Sequence, residues 1–208
     1  MRFIVSLVMA ATIGFAPVAW AADSATATAG KYPAETVKSL REGCLNAKDV
    51  PADKRQSVCS CYTTAVQADI PYATFAKVSE TLKTKGPDGL DADSKAAMEK
   101  NIFDVNYCRI KNGAGSTAEE RATFPDAGVP ALHNSCMAFK DIPDNKKSSF
   151  CTCYEGMIRT KITYSDWMLL GLAIQLKGVQ GLDSEEKGIF SIVRQVRVGC
   201  GGGFAVTN

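Results

Sequence analysis

The chain has 208 residues, 46% of them hydrophobic and 22% charged, with a formal net charge of +2. This apolar content is ordinary for a globular protein of one domain or two small ones. Charge so near balance, with no run of one sign, argues against nucleic acid or an anionic membrane surface as the main partner.

Residues 1–22 open on Met1-Arg2, continue through the apolar stretch Phe3–Ala10 and end on the small-x-small triplet Ala19-Trp20-Ala21. That pattern predicts a secretory signal peptide cut after Ala21 or Ala22. Residues 23–30 are small and polar and read as a disordered leader. No later segment reaches the ~18 unbroken apolar residues that a membrane span needs. The expected location is the periplasm or the exterior, with no stable membrane span.

From residue 31 onward the organising feature is Cys59-Ser60-Cys61-Tyr62, which returns 92 positions later as Cys151-Thr152-Cys153-Tyr154. Each pair has one cysteine 15 positions upstream (Cys44, Cys136) and one 47 positions downstream (Cys108, Cys200). At the same offset stand Leu40/Leu132, Asp49/Asp141, Pro51/Pro143, Tyr72/Tyr164, Gly86/Gly178, Leu90/Leu182 and Asp91/Asp183. An ungapped self-match of this kind reads as a tandem duplication, with repeats at 31–112 and 127–201. Residues 113–126 lack an apolar period and read as a linker; residues 202–208 read as a tail.

A first helix is expected from about Pro33 to Asn46, with Val37, Leu40 and Cys44 on one face, and a counterpart from near Pro130 carrying Leu132 and Cys136. The prolines Pro51 and Pro143 end those helices and open the next. Asp53 and Asn145 are the expected N-caps, with Gln56 completing a capping box in the first copy. The second helix puts Val58, Tyr62, Ala65, Val66 and Ile70 on one stripe, and Phe150, Tyr154, Met157, Ile158 and Ile162 in the other copy. Both tyrosines read as core residues with a polar tip.

The third helix begins after Pro71 and at Ser165 and ends at Gly86 and Gly178. Its first copy has a narrow stripe of Phe75, Val78 and Leu82. The second copy, Trp167–Ile174, is apolar nearly all round, which predicts burial on more than one side. Trp167 is expected to be buried against the other repeat. Trp167, Met168, Leu169 and Leu172 are also the candidate partner or ligand surface. The last helix starts near Asp91–Ser94 and Asp183–Glu185, where acids suit a helix N-terminus. It ends at the final cysteine of each repeat, with Ile102 and Val105, or Ile189, Ile192, Val193 and Val196, facing inward. No stretch alternates as a strand does. The predicted fold is all-α, a tandem duplication of a disulfide-stapled four-helix unit.

In an oxidising compartment an even cysteine count at repeated spacings points to disulfides rather than zinc. Pairing is expected within each repeat. A Cys59–Cys61 bond would close a strained ring inside a helix. Two pairings then remain: 44–59 with 61–108, or 44–61 with 59–108. Cys59 and Cys44 both lie near the turn of the first hairpin, which favours the former.

Catalytic signals are sparse. His133 is the only histidine, and Arg41 stands at its place in the first repeat. No glycine-rich phosphate loop and no nucleophile in a recognisable setting is found. The four-cysteine units suggest neither a cofactor nor a metal.

A helix bearing a cysteine, then Cys-x-x-Tyr opening a second helix, then a last helix ending in cysteine resembles the small periplasmic Tai-type immunity proteins. The matching residues are Cys44, Cys59, Tyr62 and Cys108, and again Cys136, Cys151, Tyr154 and Cys200. The resemblance implies a helical, disulfide-bonded binder that neutralises a peptidoglycan-amidase toxin. The expected function is an exported, non-enzymatic binding protein whose partner is an envelope or secreted protein, of inhibitor or immunity type. The alternatives are a carrier of a small apolar ligand near Trp167–Ile174, a structural envelope component, or an enzyme that uses His133 with a carboxylate brought near by folding.

Overall fold

The structure is a computed structural model that describes residues 31–203. The expected signal peptide, the leader and residues 204–208 of the expected tail lie outside the described residues. The chain forms two compact units that divide between Ala114 and Gly115. Every regular element among the described residues is helical. No helix among them is long and apolar enough to cross a membrane.

The first unit holds α1 (Ala34–Leu45), α2 (Arg55–Asp69), α3 (Tyr72–Lys85) and α4 (Ala92–Lys111). The second holds α5 (Ala118–Ala122), α6 (Val129–Met137), α7 (Asp144–Lys161), α8 (Tyr164–Lys177) and α9 (Ser184–Gly199). In the first unit α2 packs on α1 and α4, and α4 also on α3; in the second, α7 packs on α6 and α9, and α8 on α9. Each core is the inner stripe of these helices. Val58, Tyr62, Val66 and Ile70 are buried in one unit, and Phe150, Tyr154, Ile158 and Ile162 in the other.

Local chemistry sets most boundaries. Gly86 and Gly178 end α3 and α8 at φ of 70° and 66°, a left-handed backbone that side-chain-bearing residues adopt only at a cost. Each opens a single 3-10 turn, Pro87–Gly89 or Val179–Gly181. The next helix is capped by an aspartate. Asp91 accepts from the Ser94 amide, and Asp183 forms a full capping box with Glu186.

The expected N-caps of α2 and α7 are not used. The residues preceding these helices are Lys54 and Pro143, with no side-chain cap at either and no capping box from Gln56. The proline carbonyls do the work instead: Pro51 O accepts from the Lys54 and Arg55 amides at 2.9 and 3.0 Å, and Pro143 O from Lys146 at 2.9 Å. Asp144 then sits in the first turn of α7, where its charge favours the helix dipole rather than capping an amide.

Two further readings are corrected. Ile102 does not face inward; it is 48% exposed, and the fully buried neighbour is Asp104. Residues 113–126 are more than a joining strand, since α5 stands on a Thr117/Glu120 capping box and packs on α8. Phe124 is buried, and the Tyr164 amide donates to Thr123 O at 3.0 Å. A helix of five residues is too short for an apolar period to show.

Candidate functional site

The frame of each unit is a pair of disulfides. Cys44–Cys59 and Cys136–Cys151 tie the hairpin helices, and Cys61–Cys108 and Cys153–Cys200 tie the second helix to the last. Cα–Cα distances of 5.6–5.7 Å in all four lie in the ordinary range for such bridges. Positions two apart on a helix point about 200° from each other, so the two cysteines of each Cys-x-Cys reach different neighbours. Four disulfides fit an oxidising compartment.

A second strap differs in detail between the units. Asp49 pairs with Arg109 at 2.8 Å, and the corresponding Asp141 pairs with Arg197. Arg197 is one helical turn earlier on its helix than Arg109 would require, because the place of Arg109 falls at Gly201 in the second unit. Arg197 also stacks over Phe139, 4.7 Å from its centroid. Phe139 in turn meets Tyr154 at 5.6 Å and Phe150 at 6.2 Å. In the first unit the same four places hold Ala47, Val105, Tyr62 and Val58, and these line a recess of about 20 Å³ beneath the Asp49–Arg109 pair.

The four candidate residues on α8 differ in burial. Leu169 and Leu172 are buried, at 4% and 9% exposure, because α9 and the α5 segment cover two sides of the helix. Trp167 and Met168 are half-buried. The Trp167 ring lies 5.9 Å from Phe124 and 5.7 Å from Tyr164, both of its own unit. These ring contacts seat Trp167 within its own unit. The Thr163/Asp166 capping box fixes the start of α8 at Tyr164.

His133 is brought to a carboxylate that spacing had not revealed. Its Nδ1 lies 2.6 Å from Glu155 Oε1, with the histidine half exposed. The contact is traceable to the Cys136–Cys151 staple. His133 lies one turn before Cys136 and Glu155 one turn after Cys151, so an antiparallel α6–α7 hairpin aligns them. With the imidazole half in water, solvent screens the pair.

The buried ionisable groups were also unforeseen. Glu186 is fully buried and takes Lys177 Nζ at 2.9 Å on both oxygens. Asp104 is fully buried, and neither of its oxygens meets a donor. Burial first, and then the neighbouring Asp69 carboxylate, push the Asp104 carboxyl up to about 7. Burial pushes the Tyr62 and Tyr154 hydroxyls up to about 12, as befits core phenols. Tyr62 spends its proton on Asn101 Oδ1 at 2.8 Å.

Among the described residues no group of three or more His, Cys, Asp or Glu is placed to hold a metal ion. The arrangement offers two stapled helical frames and, on α8, a clamped indole beside a methionine. No protein-family model, no curated protein and no solved structure matches the chain.

Proposed function

We propose that this chain is an exported, non-enzymatic binding protein of the cell envelope, built by tandem duplication of one stapled unit. Its partner is an envelope or secreted protein, and the mode is that of an inhibitor or immunity protein. The observation that carries this reading is the setting of Trp167. The ring is held between Phe124 and Tyr164 on a disulfide-braced unit, yet it stays half accessible with Met168 beside it. A rigid, partly exposed indole loses little conformational freedom on docking, and tryptophan is enriched among the residues that dominate interfaces. The corresponding residue in the first unit, Phe75, is buried, so at this position the aromatic is part-exposed in the second unit and enclosed in the first.

The test is capture from an envelope extract by the oxidised mature chain. Trp167→Ala removes the indole. Met168→Glu leaves the Phe124–Trp167–Tyr164 cluster intact and places a charge on the same face. Both variants should lose the captured protein at least tenfold, a change of about 1.4 kcal/mol. Undiminished capture by both, with their helical content unchanged, would refute the reading.

A further inference from the structure

The place of Asp104 in the first unit is not explained by packing. It is fully buried, and neither of its oxygens accepts a hydrogen bond. The corresponding position in the second unit is Val196, also buried at 2% exposure. Asp69, the last residue of α2, lies against Asp104, and its counterpart is Lys161. The second unit therefore builds the same seam with a valine and a lysine. The fold does not call for two acids there.

The surroundings offer Asp104 no donor. The Tyr62 hydroxyl on α2 donates to Asn101 Oδ1 at 2.8 Å, and the Tyr32 hydroxyl, ahead of α1, donates to Ile70 O at 2.9 Å. From α3, the Tyr72 ring lies against Tyr32 at 5.3 Å. Lys100 on α4 is the facing cation, and its Nζ reaches Asp69 Oδ1 at 3.5 Å rather than Asp104. A buried carboxylate with two empty acceptors, beside a second carboxylate, is among the costliest arrangements a core can hold. A single proton resolves it, because a protonated carboxyl becomes a donor and Asp69 an acceptor.

We propose that Asp104 carries a proton shared with Asp69, and that losing it loosens the α2–α4 seam, a pH-sensitive latch present in the first unit and absent from the second. The latch is closed in acid and released toward neutral and alkaline pH. The sign follows from linkage: the folded state keeps a proton that the unfolded chain releases near its ordinary carboxylate value, so stability falls as pH rises between those two points. The helix that moves is the one presenting Ile102 and Phe103, which are 48% and 38% exposed, so release would alter that apolar face.

Hydrogen exchange of the oxidised full chain tests this. After correction for the intrinsic rate, opening of α2 and α4 should increase about a hundredfold from pH 5 to pH 7, one factor of ten per pH unit. It should level off above that range, and α7 and α9 should lack this component. Asp104→Val, which installs the second unit's residue, and Asp104→Asn should both abolish the dependence. A carbon-13 titration of the Asp104 carboxyl in the wild-type chain gives an answer that needs no variant. A carboxyl that ionises in the ordinary acid range, or a pH dependence that survives both substitutions, would overturn the latch.

Discussion

Replacing Cys61 and Cys108 by alanine opens the longer loop of the first unit, a sequence separation of 47. In the chain-entropy treatment, a loop of that length stabilises the fold by about 4 kcal/mol, and the 15-residue separation of Cys44–Cys59 corresponds to about 3 kcal/mol. Cys108 and Cys59 are both fully buried, so the packing lost with each pair is similar and the loop term decides the order. For a domain of this size, 1 kcal/mol moves the melting temperature by about 4–8 °C. The long-loop variant should therefore melt about 16–32 °C lower, and the short-loop variant about 12–24 °C lower. Cys153–Cys200 and Cys136–Cys151 should repeat the same order in the second unit. Calorimetry on the four double variants measures this directly. If the short-loop variants lose more than the long-loop ones in both units, or none melts earlier, the staples do not act by restricting the unfolded chain.

Two further outcomes are expected. Ala47→Phe copies Phe139 into the first unit and should cover Val58, Tyr62 and Val105, raising stability by about 1 kcal/mol through apolar burial; a lowered melting temperature would show that the recess is closed by its present walls. Lys177→Met removes the ammonium group from fully buried Glu186 and should cost about 2 kcal/mol near neutral pH. Denaturation midpoints of the wild-type and variant chains will show whether it does.

What the chain disclosed before folding was mostly what spacing encodes. Two cysteines on opposite faces of one helix leave two pairings, the turn of the first hairpin favours Cys44 with Cys59 and Cys61 with Cys108, and the structure has that connectivity in both units. Gly86 and Gly178 mark helix ends because the left-handed backbone there suits glycine. The misreadings have physical causes. Asp53 and Asn145 look like caps, but the carbonyls of Pro51 and Pro143 reach the free amides first. Apolar periodicity passes over Asp104 because it searches for apolar residues, and so it assigned the inner face of α4 to Ile102, which is exposed. The inner stripe of α4 is written partly in polar residues. Leu169 and Leu172 were grouped with Trp167 because an all-apolar helix does not reveal which sides its neighbours will cover. The Glu155 partner of His133 was legible in principle, through the register that the Cys136–Cys151 staple imposes on α6 and α7.

The proposed docking surface centres on Trp167 and Met168, and oxidative footprinting reads both side chains at once. Indole rings and thioethers are readily oxidised when solvent reaches them. In the isolated oxidised chain, Trp167 and Met168 should be modified at intermediate rates, as half-buried groups. With the captured envelope partner bound, both should become protected together, while exposed Met137 at 39% serves as the reference. Equal modification of Trp167 and Met168 with and without the partner, with protection falling elsewhere on the chain, would contradict the assignment.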